Sequence, residues 1–151
     1  MTQGAEPQPT TEELLAQAQG NATAFVLTTI AYLKEHGLSV DDYLEYFGRQ
    51  FAPGWEELGA QPVVDVARTV ANNAVSVGCS VGSISGDETR AEVLVTGWLD
   101  ADTISETLGL EQDDSDAVWN SFYPIMERLS INYSWRREDT TVRVIFERDR
   151  D

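Results

Sequence analysis

Asp113, Asp114 and Asp116 crowd carboxylate oxygens that a divalent cation such as Ca²⁺ could take. The run lacks the alternating ligands, the turn glycine and the distal Glu of a calcium loop. An acidic first turn also compensates a helix dipole. We therefore expect a helix start, with Asp113 as cap and Asp116 at the third position, and no metal site. Cys79 is the one cysteine and His36 the one histidine. A zinc site of Cys and His is thus excluded within one chain, and a Ser-His-Asp triad or Cys-His dyad would have to use His36. A reactive thiol needs an electropositive setting, which the neighbours of Cys79 do not offer, so a buried structural Cys is expected. His36 before Gly37 reads as a helix C-terminal cap rather than a base.

Binding groups are more numerous than catalytic ones. Arg136, Arg137 and Arg143 fall together near the C-terminus and could hold a carboxylate ligand. Cross-strand pairing with Glu138 and Glu147 is the expected role. Asn72 and Asn73 stand beside an apolar helical stripe and either meet a ligand, face water or bond a neighbouring helix. The aromatic set Trp55, Trp98, Trp119, Tyr123 and Trp135 could line a pocket between a sheet and helices, with core packing as the alternative.

The elements that must position these groups follow from periodicity. Ala91, Val93 and Val95 alternate with Glu92, Leu94, Thr96 and Trp98, so residues 90–98 read as a strand with one apolar and one mixed face. Thr10 to Glu13 fits a capping box that opens a helix running to about Glu35. Leu14, Ala18, Ala22, Phe25, Thr29 and Tyr32 keep helical spacing along it, and Gly20 should weaken or split it. Ser39 caps a second helix with the stripe Leu44, Phe47 and Phe51, which Pro53-Gly54 ends. Pro62 opens a third, with Val63, Val66, Ala67, Val70, Ala74 and Val77 inward. Residues 79–85 read as a strand and 86–89 as a hairpin turn. Asp100 or Asp102 caps a short helix that ends at Gly109. The next helix carries Pro124, which should kink or divide it. Ile131, Tyr133 and Trp135, then Val142, Val144 and Phe146, mark the inward faces of a closing hairpin, with Glu138-Asp139 as its turn. Residues 1–9 are expected to be a disordered tail, and 10–148 one domain with a helical part (10–60) and a sheet-containing part (62–148). Three helices, a hairpin, two helices and a hairpin make an α+β fold with one four-stranded antiparallel sheet packed by helices.

The 151 residues suffice for a core without disulfides or metals. A net charge of −16 repels phosphate backbones and anionic membrane surfaces, so we expect neither nucleic acid nor membrane as partner. The polar, acidic N-terminus lacks the features of a signal peptide, and a cytoplasmic protein is expected. The first two helices carry Phe25, Tyr32, Phe47 and Phe51, more aromatic surface than a small sheet face needs, which points to a homodimer.

Over residues 62–147 the order of elements resembles small-molecule-binding domains of the four-vinyl reductase type and their aminothiazoline-carboxylate hydrolase-like relatives. The shared features are a hairpin of the form Gly78–Trp98, then helices, then a closing hairpin like Ile131–Phe146. Members often carry cysteines in the second helical segment and the last hairpin. Here Asp113–Leu129 and Ile131–Arg148 contain none, which counts against thiol chemistry or thiol–metal binding. The resemblance implies a ligand-sensing or ligand-holding domain, or an enzyme that has lost its catalytic groups. The expectation is therefore a non-enzymatic domain binding a small apolar or aromatic ligand, without catalytic residues, metal or cofactor. The alternatives are a hydrolase-like enzyme using carboxylates or Cys79, and a homodimeric interaction module without a ligand.

Overall fold

A computed structural model describes residues 8–96 and 106–149. Trp98, the Asp100 and Asp102 caps and all but the last two residues of the expected tail lie outside the described residues. The chain is α+β, as the periodicity implies. The helices are α1 (Thr11–Glu35), α2 (Val40–Phe51) and α3 (Val63–Ser76), then two short ones, α4 (Gln112–Asp116) and α5 (Tyr123–Arg128). The strands are β1 (Ser80–Gly86), β2 (Arg90–Thr96), β3 (Asn132–Glu138) and β4 (Thr141–Glu147). They form one antiparallel sheet in the order β1-β2-β4-β3. The two hairpins thus join through β2 and β4, with Val93 opposite Val144 and Val95 opposite Val142.

Sheet alternation works as the pattern predicts. Ala91, Val93, Val95, Val142, Val144 and Phe146 are buried on one face, against α3. From α3, Val63, Val66, Ala67, Val70, Ala71 and Ala74 complete that layer, and Val77 is half-buried at its end. The first N–H groups of α3 are met by the first hairpin's turn: Val63 N–H donates to the Glu88 carbonyl and Val64 N–H to the Asp87 carbonyl, each at 3.1 Å. Pro62 stands at the cap position rather than inside the first turn, because these turn carbonyls do the capping.

α1 has the expected capping box, with Thr10 N–H donating to Glu13 at 2.7 Å and Glu13 N–H to the Thr10 hydroxyl at 3.2 Å. It runs unbroken through Gly20. Its buried side is Leu27 and Ile30, and Leu14, Phe25 and Tyr32 of the helically spaced stripe are exposed. Gln19 and Thr23 set that rotation by donating to the Val75 and Val77 carbonyls at 2.7 and 2.6 Å, at the end of α3. α2 begins as read, with the Ser39 hydroxyl accepting from Asp42 N–H. Leu44 is buried, but Phe47 and Phe51 are exposed, because the side of α2 facing the body is carried by Leu44 and Gly48. A β-carbon at Gly48 would collide with the Ser121 carbonyl and approach the Pro124 ring.

Pro124 divides its helix. Residues Ala117–Phe122 form a 3₁₀ segment, and α5 starts at Tyr123 with the proline in its first turn. α4 starts earlier than expected: Glu111 is the cap, Asp114 the third residue, and Asp114 accepts from Glu111 N–H at 2.9 Å. The closing turn lies at Asp139-Thr140, with Asp139 at φ 56°.

Candidate functional site

The aspartates of α4 part company. Asp114 meets Lys34 of α1 at 2.5 Å, and these contacts hold its carboxyl below the usual range although burial opposes them. Asp116 is buried and receives Arg137 at 2.6 and 2.7 Å, while Gln112 donates to the same carboxylate at 2.9 Å. Asp113 is exposed. Among the described residues no cluster of His, Cys, Asp and Glu could hold a metal ion.

The arginines also part. Arg137 reaches inward to Asp116, whereas Arg136 and Arg143 lie on the outer sheet face and share Glu138 at 2.6 and 3.0 Å. Arg143 bridges onward to Glu92 at 2.8 Å, and Arg90 ties Glu92 to Glu147. Cross-strand pairing thus occupies Arg143, a pair along β3 itself occupies Arg136, and an ion pair to the helical layer occupies Arg137. The sequence pattern marked Glu138 but not Asp116 as an Arg partner, since helix-capping chemistry accounted for the acidic run.

Cys79 is buried at the end of α3, and burial pushes its thiol up. His36 is the C-cap of α1, with Nδ1 2.8 Å from the Tyr32 carbonyl and its ring stacked on Tyr32. Asn72 and Asn73 are exposed, and Asn73 donates to the Thr69 carbonyl one turn back.

Four of the five aromatic candidates are described, and Phe122 links two of them, Trp55 and Trp119. Trp55 meets Phe122 edge-on at 6.1 Å, and Trp119 lies 6.0 Å from it. Tyr133 joins Phe122, Tyr123 and Phe146, and its hydroxyl donates to the Trp119 carbonyl at 2.9 Å. Trp135 donates from Nε1 to Asn120 Oδ1 at 2.9 Å. Trp119 is 1% exposed and Tyr123 43%. These contacts anchor the 3₁₀ segment to β3.

Open apolar space lies on the other side of that segment, between helices. One groove of about 210 Å³ runs between α1 and α2 over the 3₁₀ segment, lined by Phe25, Val26, Ile30, Leu44, Phe47 and Val118. Thr29, Tyr43 and Ser121 supply its polar groups. A second hollow of about 150 Å³ adjoins it, sharing Val26, Phe47, Val118 and Ser121, and reaches Trp119 and Phe122 with Asn73 at its edge. Periodicity alone marks Phe47 and Trp119 as apolar stripe members; only the crossing of α1 over α2 shows that they flank one opening.

No helix among the described residues is long and apolar enough to cross a membrane. No protein-family model matches the chain, and no curated protein matches its sequence.

Proposed function

We propose that the chain is a non-catalytic, cytoplasmic binding domain that holds a small, neutral, apolar or aromatic molecule in the groove between α1, α2 and the Ala117–Phe122 segment. The observation that carries this reading is the groove itself, a mostly apolar opening with hydroxyl groups from Thr29, Tyr43 and Ser121 and a second apolar hollow beside it. Such a lining is what apolar ligand recognition uses, with a few polar groups to orient the guest. The resemblance to ligand-holding domains of the four-vinyl reductase type supports it. So does the engagement of the candidate catalytic groups elsewhere: Asp116 in an ion pair, Asp114 at a helix cap, Cys79 in the core. The net charge of −16 favours a neutral guest over an anionic one.

The test uses N-phenyl-1-naphthylamine, a neutral aromatic probe that fluoresces on leaving water. Saturable enhancement with the native chain is expected, lost in Val118→Trp, which fills the space common to both hollows. The melting temperature of the variant reports that it folds. Absence of saturable enhancement in the native chain, or its persistence in a folded Val118→Trp, overturns the reading.

A further inference from the structure

α1 presents a second face that the described residues leave uncovered. Thr23, Val26, Leu27 and Ile30 turn toward the body. On the opposite side Leu14, Ala18, Asn21, Phe25, Thr28 and Tyr32 are all exposed, Phe25 at 78%. Their spacing alternates four and three, the seam of a two-helix coil. Residues 14–33 carry no charged side chain, in a chain whose net charge is −16. A solvent-facing helix is ordinarily charged on its outer side.

We propose that this face pairs with the same face of a second copy, the two α1 helices running antiparallel across a twofold axis near residue 23. Reversing the seam about that residue maps it onto itself. Leu14 falls opposite Tyr32, Ala18 opposite Thr28, and Asn21 opposite Phe25. Such self-complementarity is what an isologous interface requires. Antiparallel helices also place opposite dipole ends together. The charge-free stretch is where two strongly acidic copies approach without opposing like charges. Asn21 and Thr28 are the polar members of the seam, and a polar residue at such a position restricts register.

The inference does not rest on the groove, since neither Leu14 nor Ala18 lines it. In sedimentation equilibrium the full chain is expected at twice its 16.7 kDa. The double variant Leu14→Glu/Ala18→Glu is expected at the monomer mass with its helical circular dichroism retained, because both sites are exposed and Glu is a good helix former. Orientation is read independently. Chains carrying Ala18→Cys and Thr28→Cys should form a disulfide-linked dimer when mixed and none when kept apart, while buried Cys79 stays out of the reaction. A native chain that stays monomeric at all concentrations, a double variant that remains dimeric, or cross-linking of the Ala18→Cys chain with itself would each overturn the proposal.

Discussion

Arg137 on β3 grips Asp116 on α4 through two hydrogen bonds, Nε to Oδ2 at 2.6 Å and Nη2 to Oδ1 at 2.7 Å, with the carboxylate side chain 5% exposed. The pair joins the sheet to the helical layer. Removing one partner leaves the other charge in a poorly hydrated site, which costs about 3–5 kcal/mol for a fully buried pair. Arg137 is partly exposed, so Asp116→Ala is expected at the lower end of that range in urea unfolding. The double change Asp116→Leu/Arg137→Met should recover much of the loss, since it leaves no lone charge behind. A double variant as unstable as the sum of the single ones would show that the two side chains act separately.

Two glycines on helices should respond oppositely to alanine. Gly48 has the Ser121 carbonyl and the Pro124 ring where a β-carbon would go, so Gly48→Ala must push α2 off the 3₁₀ segment. A loss of about 1–3 kcal/mol follows for such overpacking. Gly20 has nothing within 4 Å of that position and lies inside α1. Gly20→Ala should therefore stabilise by about 0.5–1 kcal/mol, the helix-propensity difference. Thermal unfolding of both variants decides this, and equal effects would refute the close crossing at Gly48.

Glu138 is a probe of the outer-face network. Hydrogen bonds from Arg143, and then from Arg136, hold its carboxyl below the ordinary range. A carboxyl with a depressed folded pKa adds stability that is present above its unfolded pKa and disappears as pH falls through the folded one. The destabilisation by Glu138→Gln should therefore be largest at neutral pH and vanish in acid, and it should shrink in high salt. Comparing the variant with the native chain at each pH removes the general effect of the −16 charge. A difference that persisted at pH 2 would mean that packing, not charge, is what Gln disturbs.

The Cys79 thiol is buried and pushed up by that burial, so little thiolate forms at neutral pH. Iodoacetamide at pH 8 should leave the folded chain unmodified and alkylate it rapidly in guanidinium, as read by intact mass. Rapid labelling of the folded chain would reopen a chemical role for this residue.

The strands and their inward faces were legible because alternation is local: Val93 and Val95, Val142 and Val144 announce a buried face without reference to any neighbour. Caps were legible where one side chain reaches a backbone group nearby, as at Thr10 and Ser39. Other local signals were ambiguous. The acidic run pointed to Asp113 as cap, and its hydrogen bonds select Glu111.

Partners distant in the chain were decided only by the tertiary structure. Periodicity states that a residue lies on a stripe, but not which side of a helix meets the body. On α1 the spacing of Leu14, Phe25 and Tyr32 marks a stripe without saying whether it meets the body or a partner. Gln19 and Thr23, bonded to carbonyls at the end of α3, turn it outward. The pairing of β2 with β4, the grip of Arg137 on Asp116 and the meeting of Phe47 with Val118 at one opening are likewise long-range. What the sequence determined by itself is the set of elements and their amphipathic faces, because these follow from backbone geometry over a few residues. Which faces meet depends on the packing of all the elements at once, and only the folded chain decides it.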